Sequence, residues 1–407
     1  MPRPLFYGWI VVGAAFVSHF LNYGTQVVAF GIFLPAMAEG LGIGRAALAG
    51  TFGLARVVSA AVAPALGVLV DRRGPRLLTL LGTVCLAAGA LLLAGSHTLW
   101  HVVVGYAVVM AVGGVALGDL SADATVTRWF VRRRGRALAV ATMGLSAAGI
   151  VLPLPVAYAI TTVGWRGAWV LMAAAVLVLG AAAATAMRAR PEDHGLVADG
   201  AAAGADVPLE TSLTARQALR TPAFWLLVVG TNLGGLALFG VNVHLFSYLG
   251  DRGLPPATAA AVVTLLYVLH TAAKPLWGLV AERVDVRYCI ATCYAGGGAG
   301  ILLLLMSPSF AAVLAFTAVY GLTRGAQSFV TSLAWSEYFG RDAQGAIRGL
   351  AAPARFIASA AGPVLGGWVY DATGSYEGAL LAFALAFLLG GLVAATARAP
   401  QAPPREA

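Results

Sequence analysis

Residues 67–76 read GVLVDRRGPR, and this stretch decides how the chain is expected to fold. It lies between two long apolar runs, so its charged side chains are confined to a short connection. A weaker copy, GLVAERVDVR, occupies residues 278–287 and again follows an apolar run. Because the two copies are separated by roughly half of the chain, we expect two related halves.

The composition is typical of a protein that lies in a membrane. Of the 407 residues, 60% are hydrophobic and only 11% are charged, whereas about a quarter of the residues of a soluble protein are charged. A helix that crosses a membrane needs ~20 mainly apolar residues. The predicted spans, numbered 1 to 12, are residues 8–34, 46–70, 77–95, 100–126, 137–162, 166–187, 222–250, 256–281, 288–307, 309–338, 346–371 and 375–397.

The net charge of +9 could indicate a nucleic-acid partner, so the placement of the basic residues matters. If the N-terminus is cytoplasmic, only Arg45, Arg166 and Arg252 lie on the far side, and most of the 26 Lys and Arg residues lie on the cytoplasmic side. This bias is the positive-inside rule. It predicts that both termini are cytoplasmic and that nucleic acid is not a partner.

The chain is expected to form two halves of six helices each, joined by one long polar segment. The predicted domains are an N-terminal half (1–187), a cytoplasmic linker (188–220), a C-terminal half (221–397) and a cytoplasmic tail (398–407). The linker is expected to be poorly ordered, with a short amphipathic piece near residues 213–220. The first apolar run has no small-residue cleavage site, so we interpret it as span 1 rather than as a signal peptide.

A few charged residues fall inside the predicted spans. A charge at mid-membrane costs ~2.5–3.5 kcal/mol on insertion scales, so each needs a partner or a water-filled cavity. The four cations are Arg56, Lys274, Arg324 and Arg355, and the two acids are Asp119 and Asp123. The cationic excess predicts a cavity that selects an anion, because Lys and Arg form charge-assisted hydrogen bonds with carboxylates. In the alternative interpretation, Arg56 or Arg324 pairs with one of the acids as a structural brace.

Polar side chains recur in several spans at spacings of three and four residues. Residues at these spacings are neighbours on one helix face, so each polar stripe is expected to face a shared cavity. The stripes are His19, Asn22, Tyr23, Gln26 and Phe30 in span 1; Asn232, Gly235, Phe239 and Asn242 in span 7; Tyr267, His270, Thr271 and Lys274 in span 8; Tyr320, Arg324, Gln327 and Thr331 in span 10; and Arg348, Ala352, Arg355 and Ser359 in span 11.

Several further stretches carry a family resemblance. They are FYGW at residues 6–9, RWF and RGRA within 128–137, YFGR and GAIRG within 338–349, and GP and DATGSY within 362–376. With the motif at 67–76, they resemble the major facilitator superfamily, and within it the bacterial monocarboxylate transporter and oxalate:formate antiporter branch. The resemblance implies an all-α membrane protein of twelve transmembrane helices, in the bacterial inner membrane. We expect it to be a monomer.

The resemblance also implies a substrate site. In this branch, a basic residue just before a proline in span 8 binds the substrate carboxylate, and Lys274 occupies that place before Pro275. A second cation lies in span 11, where Arg355 is similar. The lysine that animal monocarboxylate carriers have in span 1 has no counterpart, since that region reads QVV from Gln26. The predicted substrate-binding residues are Lys274, Arg355, Arg324, Asn22, Tyr23, Gln26, Tyr267 and Tyr320.

Proton coupling has three candidates, Asp119, His270 and His19. Monocarboxylate transporters carry an acid four residues before the basic residue of span 8, and here that position holds His270. Histidine can carry a proton near neutral pH, while a neutral structural histidine is the alternative. Asp119 could carry the proton, neutralise Arg324 or contact an amine on the substrate. His244, towards the outer end of span 7, is a candidate gate.

Asp71 belongs to a different kind of site. As in the superfamily, it is expected to contact the start of span 11 and a neighbouring Arg when the cytoplasmic side is closed. An acid at a helix N-terminus is favoured by the helix dipole. With Arg72, Arg76, Gly67 and Gly74, it forms a predicted cytoplasmic latch rather than a substrate site.

The sequence therefore predicts a secondary active transporter of small carboxylates, such as lactate, that works by alternating access. Proton symport and exchange for a counter-anion both stay open, and an oxalate or dicarboxylate exchanger is an alternative. An enzyme is not expected, because the H-E-x-x-H, G-x-S-x-G and P-loop motifs do not occur. We expect no cofactor and no metal site, since Cys289 and Cys293 have no further His or Cys pair to complete one.

The sequence leaves two rival functions open. A multidrug efflux carrier shares the loop motif, but its G-P-x-x-G-G motif belongs in span 5, and here GPVLGG lies at residues 362–367 in span 11. Cationic drugs would also favour buried acids over buried bases. A membrane sensor without transport is the second rival.

Overall fold

The computed structural model describes residues 6–200, 212–306 and 309–400. In these ranges every regular element is helical and no strand occurs. Nine helical stretches in the same ranges are long and apolar enough to cross a membrane. The predicted all-α membrane class is therefore confirmed.

The chain divides into two compact units. Unit 1 comprises Met1–Ser212 and Gly340–Pro353, and unit 2 comprises Leu213–Phe339 and Ala354–Ala407. The short segment Gly340–Pro353 thus packs with unit 1, although it follows most of unit 2 in the chain. The boundaries of the predicted halves stay a prediction.

Unit 1 is built from helices that begin and end near the predicted spans. They are α1 (Gly8–Tyr23), α2 (Phe30–Leu41), α3 (Arg45–Arg73), α4 (Pro75–Ala94), α5 (Leu99–Val102), α6 (Ala111–Leu117), α7 (Ala122–Trp129), α8 (Arg134–Val151) and α9 (Pro153–Ala186). Two π-helical segments, Gly24–Ala29 and Val103–Met110, continue α1 into α2 and α5 into α6.

Unit 2 contains the remaining helices, although the helix Gln344–Thr373 begins in unit 1. They are α10 (Ala215–Leu219), α11 (Pro222–Asp251), α12 (Pro256–Val280), α13 (Val286–Met306), α14 (Phe310–Arg324), α15 (Gln327–Phe339), α16 (Gln344–Thr373) and α17 (Glu377–Thr396).

Two predicted spans are interrupted, which corrects the expectation of continuous helices. Span 4 stops at Leu117 and resumes at Ala122, because the backbone of Gly118 is extended (φ −69°, ψ −158°). Span 10 stops at Arg324 and resumes at Gln327. At this second break, a Cβ on Gly325 would lie 2.6 Å from the carbonyl oxygen of His270, so only glycine permits this close approach of α14 to α12.

A third break agrees with the predicted loop between spans 5 and 6. The helical stretch Pro153–Ala186 leaves helical geometry at Gly164, where φ is 72° and ψ is 165°. Glycine adopts a positive φ at little steric cost. Since α9 counts as one of the nine apolar stretches although it contains this break, the total of twelve spans stays a prediction.

Small residues let the helices of unit 1 approach closely. A Cβ on Gly82 would lie 2.8 Å from the carbonyl oxygen of Gly113, and one on Gly89 would lie 2.7 Å from that of Gly105. Lipid supplies no hydrophobic drive for helix association, so close van der Waals packing of this kind holds membrane helices together.

The first part of the linker packs on unit 1. The indole Nε1–H of Trp129 donates to the carbonyl oxygen of Arg188 at 2.9 Å, and the carboxylate of Asp199 accepts from the backbone N–H of Arg132 at 2.8 Å. Near the end of the linker, α10 begins with a capping box between Thr214 and Gln217, where the sequence predicts a short helix. The expected disorder of residues 201–211 and of the tail from residue 401 concerns positions outside the described residues.

Candidate functional site

The predicted site residues fall into two groups, one in each unit. Unit 2 holds the predicted anion anchors, the candidate gate and His270. Unit 1 holds the polar residues of span 1, both acids and the cytoplasmic latch.

Lys274 is the most deeply buried cation of unit 2. Its side chain has 0% exposure on α12, and the next residue, Pro275, lies inside the same helix. Proline has no N–H, so the carbonyl of Thr271 loses its usual partner one turn earlier. A backbone carbonyl without its helical partner at membrane depth is tolerated only where it is buried in protein or lines a water-filled space.

Arg324 is a second buried cation in this unit. It is the last residue of α14, where the partial negative charge of a helix C-terminus stabilises a cation. Its guanidinium carbon lies 5.4 Å from the ring centre of Tyr267 and 5.9 Å from that of Tyr320. His270 lies one turn before Lys274, and the positive charges of Arg324 and Lys274 both act on its ring. His270, Lys274 and Arg324 therefore form one basic cluster.

The interior of unit 2 is positive as a result. Lys274 and Arg324 are buried, whereas every acidic side chain in the described part of this unit is exposed or partly exposed. Those acids are Asp251, Glu282, Asp285, Glu337, Asp371 and Glu377. A buried region with this charge distribution favours an anion over a cation.

Arg355 and His244 lie on two other helices of unit 2. Arg355 is partly exposed on α16, with its guanidinium carbon 5.0 Å from the ring centre of Phe356. His244 on α11 is hydrogen-bonded through Nε2 to the carbonyl oxygen of Pro363 on α16 at 2.8 Å. A Cβ on Gly366 would lie within 2.6 Å of the same nitrogen. His244 therefore joins α11 to α16 in this structure.

In unit 1, the predicted polar stripe of span 1 faces the helix of span 4. Gln26 donates through Nε2 to Oδ1 of Asn22 at 2.7 Å, and a Cβ on Gly114 would overlap the Gln26 amide. The phenol of Tyr106 donates to the carbonyl oxygen of Gln26 at 2.5 Å. Tyr23 is partly exposed beside them.

Part of the polar stripe of span 1 lies in a π-helical segment. Gln26 lies in the segment Gly24–Ala29, whose wider turns shift the residues that follow around the helix axis. Its partner Tyr106 lies in the second π segment, and its ring stacks on that of Phe30 at 3.7 Å. π-Helical turns occur frequently at functional sites.

The acids of span 4 differ from the sequence interpretation. Asp119 lies in the turn between α6 and α7 and is partly exposed. Asp123, on α7, is 1% exposed, and its Oδ1 is hydrogen-bonded to Nε2 of His19 at 2.8 Å. Its Oδ2 lies 3.6 Å from Nη1 of Arg348. Within unit 1, Arg348 is thus a cation close to Asp123, and the brace interpretation, which named Arg56 or Arg324, stays a prediction.

Sequence reasoning assigned no site role to Asp123 or Arg348. Arg348 stood in the polar stripe of span 11, and Asp123 was only a possible counter-charge. The structure buries both and adds Gln344, whose Oε1 accepts from Nε of Arg348 at 2.9 Å. The sequence does show a second acid, Asp123, four residues beyond Asp119. Because the helix is broken at Gly118–Ser121, helical spacing could not predict which of the two acids faces inward.

The predicted latch residue Asp71 lies against the first turn of α16. Its Oδ1 accepts from the backbone N–H of Gly345 at 3.0 Å and its Oδ2 from that of Ala346 at 2.7 Å. Nη2 of Arg128 donates to the same carboxylate at 2.5 Å. Arg128 also donates through Nε to the carbonyl oxygen of Arg341 at 3.1 Å.

The glycines of the motif permit this contact. A Cβ on Gly67 would overlap the carbonyl oxygen of Gly345, and one on Gly349 would lie 2.8 Å from the carbonyl oxygen of Ala63. Gly74 ends α3 with a φ of 83°. The motif arginines Arg72 and Arg76 are exposed.

Comparison with known proteins defines the family. The sequence matches the Major Facilitator Superfamily over residues 15–269 and again over residues 251–407. The chain belongs to this superfamily. The family predicted from the motif at 67–76 is thereby confirmed.

Relatives narrow the branch of the superfamily. Monocarboxylate transporter 11 of Mus musculus is 28% identical over 399 residues, which cover 95% of this chain and 86% of that protein. Monocarboxylate transporter 13 of Bos taurus is 26% identical over 387 residues, which cover 95% of this chain and 88% of that protein. These relatives confirm the predicted resemblance to monocarboxylate transporters. This superfamily member is a transporter and not an enzyme.

Solved structures show the same fold. A crystal structure of the E. coli fucose:proton symporter FucP aligns with a TM-score of 0.72 at 15% identity, covering 94% of this chain and 97% of that one. The crystal structure of the human organic anion transporter MFSD10 aligns with a TM-score of 0.71 at 16% identity, covering 97% of this chain and 100% of that one. At these identities the likeness concerns the fold alone.

Proposed function

We propose that this transporter carries small carboxylate anions by secondary active transport, and that a monocarboxylate such as lactate, accompanied by a proton, is its substrate. The observation that carries the proposal is the positive interior of unit 2, where Lys274 and Arg324 are buried and none of the acids that the structure describes in this unit is buried. The names of the relatives support the substrate class.

Lys274 is the proposed primary anchor for the carboxylate. A buried cation is costly in a membrane, and an anionic substrate offsets that cost while it is bound. A hydrogen bond between ionised partners contributes about 1.5–3 kcal/mol, which is sufficient to decide whether a small anion binds. Tyr267 and Tyr320 flank Arg324, and their hydroxyl groups can donate to a carboxylate.

Arg355 is the proposed second cation for the other end of a larger anion. It lies on α16 and retains partial exposure, as an anchor that meets substrate from a water-filled cavity should. An oxalate or dicarboxylate exchanger would use both anchors at once, and this stays the alternative function. The role predicted for Asn22, Tyr23 and Gln26 stays a separate prediction within unit 1.

A multidrug efflux carrier is less well supported. Cationic drugs are attracted by buried acids, whereas the buried charge of unit 2 is basic. The proposal also places the protein in a bacterial inner membrane, as a monomer with both termini in the cytoplasm. The excess of arginine in the loops assigned to the cytoplasmic side supports this orientation.

Asp71 and its partners are proposed to form a latch that closes and opens during the transport cycle. Its carboxylate joins the motif to the first turn of α16 through two backbone N–H groups and Arg128. Hydrogen bonds of this kind can be exchanged for water when the segments separate. His244, which joins α11 to α16, is proposed as a second such contact, within unit 2.

Transport by the purified protein in liposomes tests the proposed function. Uptake of labelled lactate and oxalate is followed with an inward proton gradient, with internal anion and no gradient, and with neither. Accumulation of lactate that requires the gradient supports proton symport. Oxalate uptake that requires only internal anion supports the exchanger. If neither anion enters and an amphipathic cation is expelled instead, the carboxylate proposal is wrong.

A further inference from the structure

We propose that Asp123, together with His19, is the group that binds the coupled proton, and that proton binding releases Arg348, near the start of α16, from Asp123. The inference rests on the proposed proton-coupled transport, and it replaces Asp119 as the coupling acid. It names a proton site in unit 1 that is separate from the basic cluster of unit 2.

The three side chains form a buried network. His19, Asp123 and Arg348 are 3%, 1% and 5% exposed. One carboxylate oxygen of Asp123 contacts the imidazole at 2.8 Å and the other faces the guanidinium at 3.6 Å. In a low-dielectric interior, such a network is stable only while its charges balance.

The charges around this site are those of the elements packed on α7. Helix α7 packs against α1, α8 and the linker turn at 198–200, and it faces the start of α16. The charged or titratable groups that contact α7 are His19 on α1, Asp71 on α3, Arg134 on α8 and Arg348 on α16. Asp199 in the linker turn accepts from a backbone N–H just after α7, and Arg136 on α8 is exposed. Arg134 donates to the carbonyl oxygens of Phe130 and Thr127, so its guanidinium stabilises the backbone at the end of α7.

The charge balance determines the effect of a proton. With His19 neutral, Asp123 ionised and Arg348 protonated, the network carries no net charge. A proton taken up by the Asp123 carboxylate, or by His19, leaves one positive charge in excess. The attraction that holds Arg348 is then cancelled or shared, and the guanidinium is driven towards water. No covalent bond other than that to the proton is made.

The network is mechanically connected to the latch. Arg348 lies two residues after Ala346, whose N–H is bound by Asp71. Asp123 lies on α7, the helix whose Arg128 holds Asp71. Two carboxylates therefore secure the same first turn of α16, one through backbone N–H groups and one through a side chain. Loss of the Asp123 contact leaves the Asp71 contact to hold the turn.

Asp119 is less suited to this task. It lies in the turn that interrupts span 4 and is partly exposed. The comparison of Asp119→Asn with Asp123→Asn therefore separates the two acids. Asp193→Asn, in an exposed part of the linker, serves as the matched carboxylate-to-amide control.

The first test compares two modes of transport in the same vesicles. Lactate accumulation driven by a proton gradient is divided by lactate counterflow, which needs no net proton movement. We expect this ratio to fall at least about tenfold in Asp123→Asn and to be unchanged in Asp193→Asn. An unchanged ratio in Asp123→Asn, or a tenfold loss in Asp119→Asn alone, overturns the inference. Failure of the wild type to transport lactate at all overturns the proposed function instead.

A second measurement needs no substrate and no folded Asp123 variant. In a background without Cys85, Cys289 and Cys293, Ala343→Cys places a reporter just before α16. The maleimide labelling rate at each pH is divided by that of the same protein unfolded at that pH, because the thiolate is the reactive form. We expect this normalised rate to rise several-fold as the pH falls, with the Asp71 contact weakened by Asp71→Asn to sensitise the turn. A normalised rate that is independent of pH contradicts proton-dependent release of Arg348. Where Asp123→Asn folds, its labelling should be rapid at every pH.

Discussion

Asp71 accepts a hydrogen bond at 2.7 Å from the backbone N–H of Ala346, which lies 275 positions later in the chain. The contact places a carboxylate at the N-terminus of α16, where the first N–H groups of a helix have no partner within the helix. The dipole of the helix favours a negative charge at the same place. One short motif thus stabilises the start of a distant helix.

Removal of the charge at Asp71 should weaken this contact without changing the shape of the side chain. In Asp71→Asn, the amide can accept only through one oxygen, and the ion pair with Arg128 is lost. A loss of about 2 kcal/mol would shift the ratio of latched to unlatched molecules by up to about 30-fold. We expect the maximal rate of lactate uptake to fall while the substrate concentration at half-maximal rate changes little. Arg73→Gln, at an exposed position of the same motif, should leave both values unchanged, and an unaltered rate in Asp71→Asn would contradict a latch.

Gly67 and Gly53 offer a matched pair within α3. A Cβ on Gly67 would overlap the carbonyl oxygen of Gly345, whereas a Cβ on Gly53 would meet nothing within 4 Å. Gly67→Ala should therefore destabilise the protein by about 1–3 kcal/mol, as overpacking does. Gly53→Ala should be neutral or stabilising by up to about 1 kcal/mol, because alanine favours helix. Thermal unfolding in detergent distinguishes them, and equal midpoints would show that the Gly67 approach is not close.

His244 and Gly366 should be energetically coupled. Because a Cβ on Gly366 would lie 2.6 Å from Nε2 of His244, Gly366→Ala must displace the imidazole and break its bond to Pro363. We expect a cost of about 1–3 kcal/mol in the wild type. In a His244→Ala background, the same substitution should cost little, since the obstructing ring is gone. A double-mutant cycle from thermal unfolding measures this coupling, and equal costs in both backgrounds would contradict the observed packing.

The sequence was most informative where chemistry is local. The contact expected for Asp71 came from the family resemblance of the motif at 67–76, and its carboxylate lies against the first turn of α16. The turn at Gly164 was likewise predictable from a gap between apolar runs, and the structure gives it the positive φ that glycine permits. Burial of Lys274 followed from its position in the middle of an apolar run.

Tertiary pairing was not predictable in the same way. Spacing of three and four residues assumes a regular helix, and span 1 contains a π segment while span 4 is interrupted at Gly118. The break at Gly118 precedes Asp123, so regular helical spacing could not predict that Asp123 reaches His19, 104 positions away. The partner of Arg348 depended on a helix start that no local pattern specifies.

The most direct test of the carboxylate proposal is lactate uptake by Lys274→Gln in liposomes, beside Lys274→Arg and Arg283→Gln. Arg283 is exposed at the end of α12, so it controls for loss of one positive charge. We predict that Lys274→Gln reduces uptake about 10- to 100-fold, as expected for a lost charge-assisted hydrogen bond. We also predict that Lys274→Arg retains part of the activity and that Arg283→Gln retains all of it. Wild-type uptake by a correctly folded Lys274→Gln protein would contradict the assignment of Lys274 as the anion anchor.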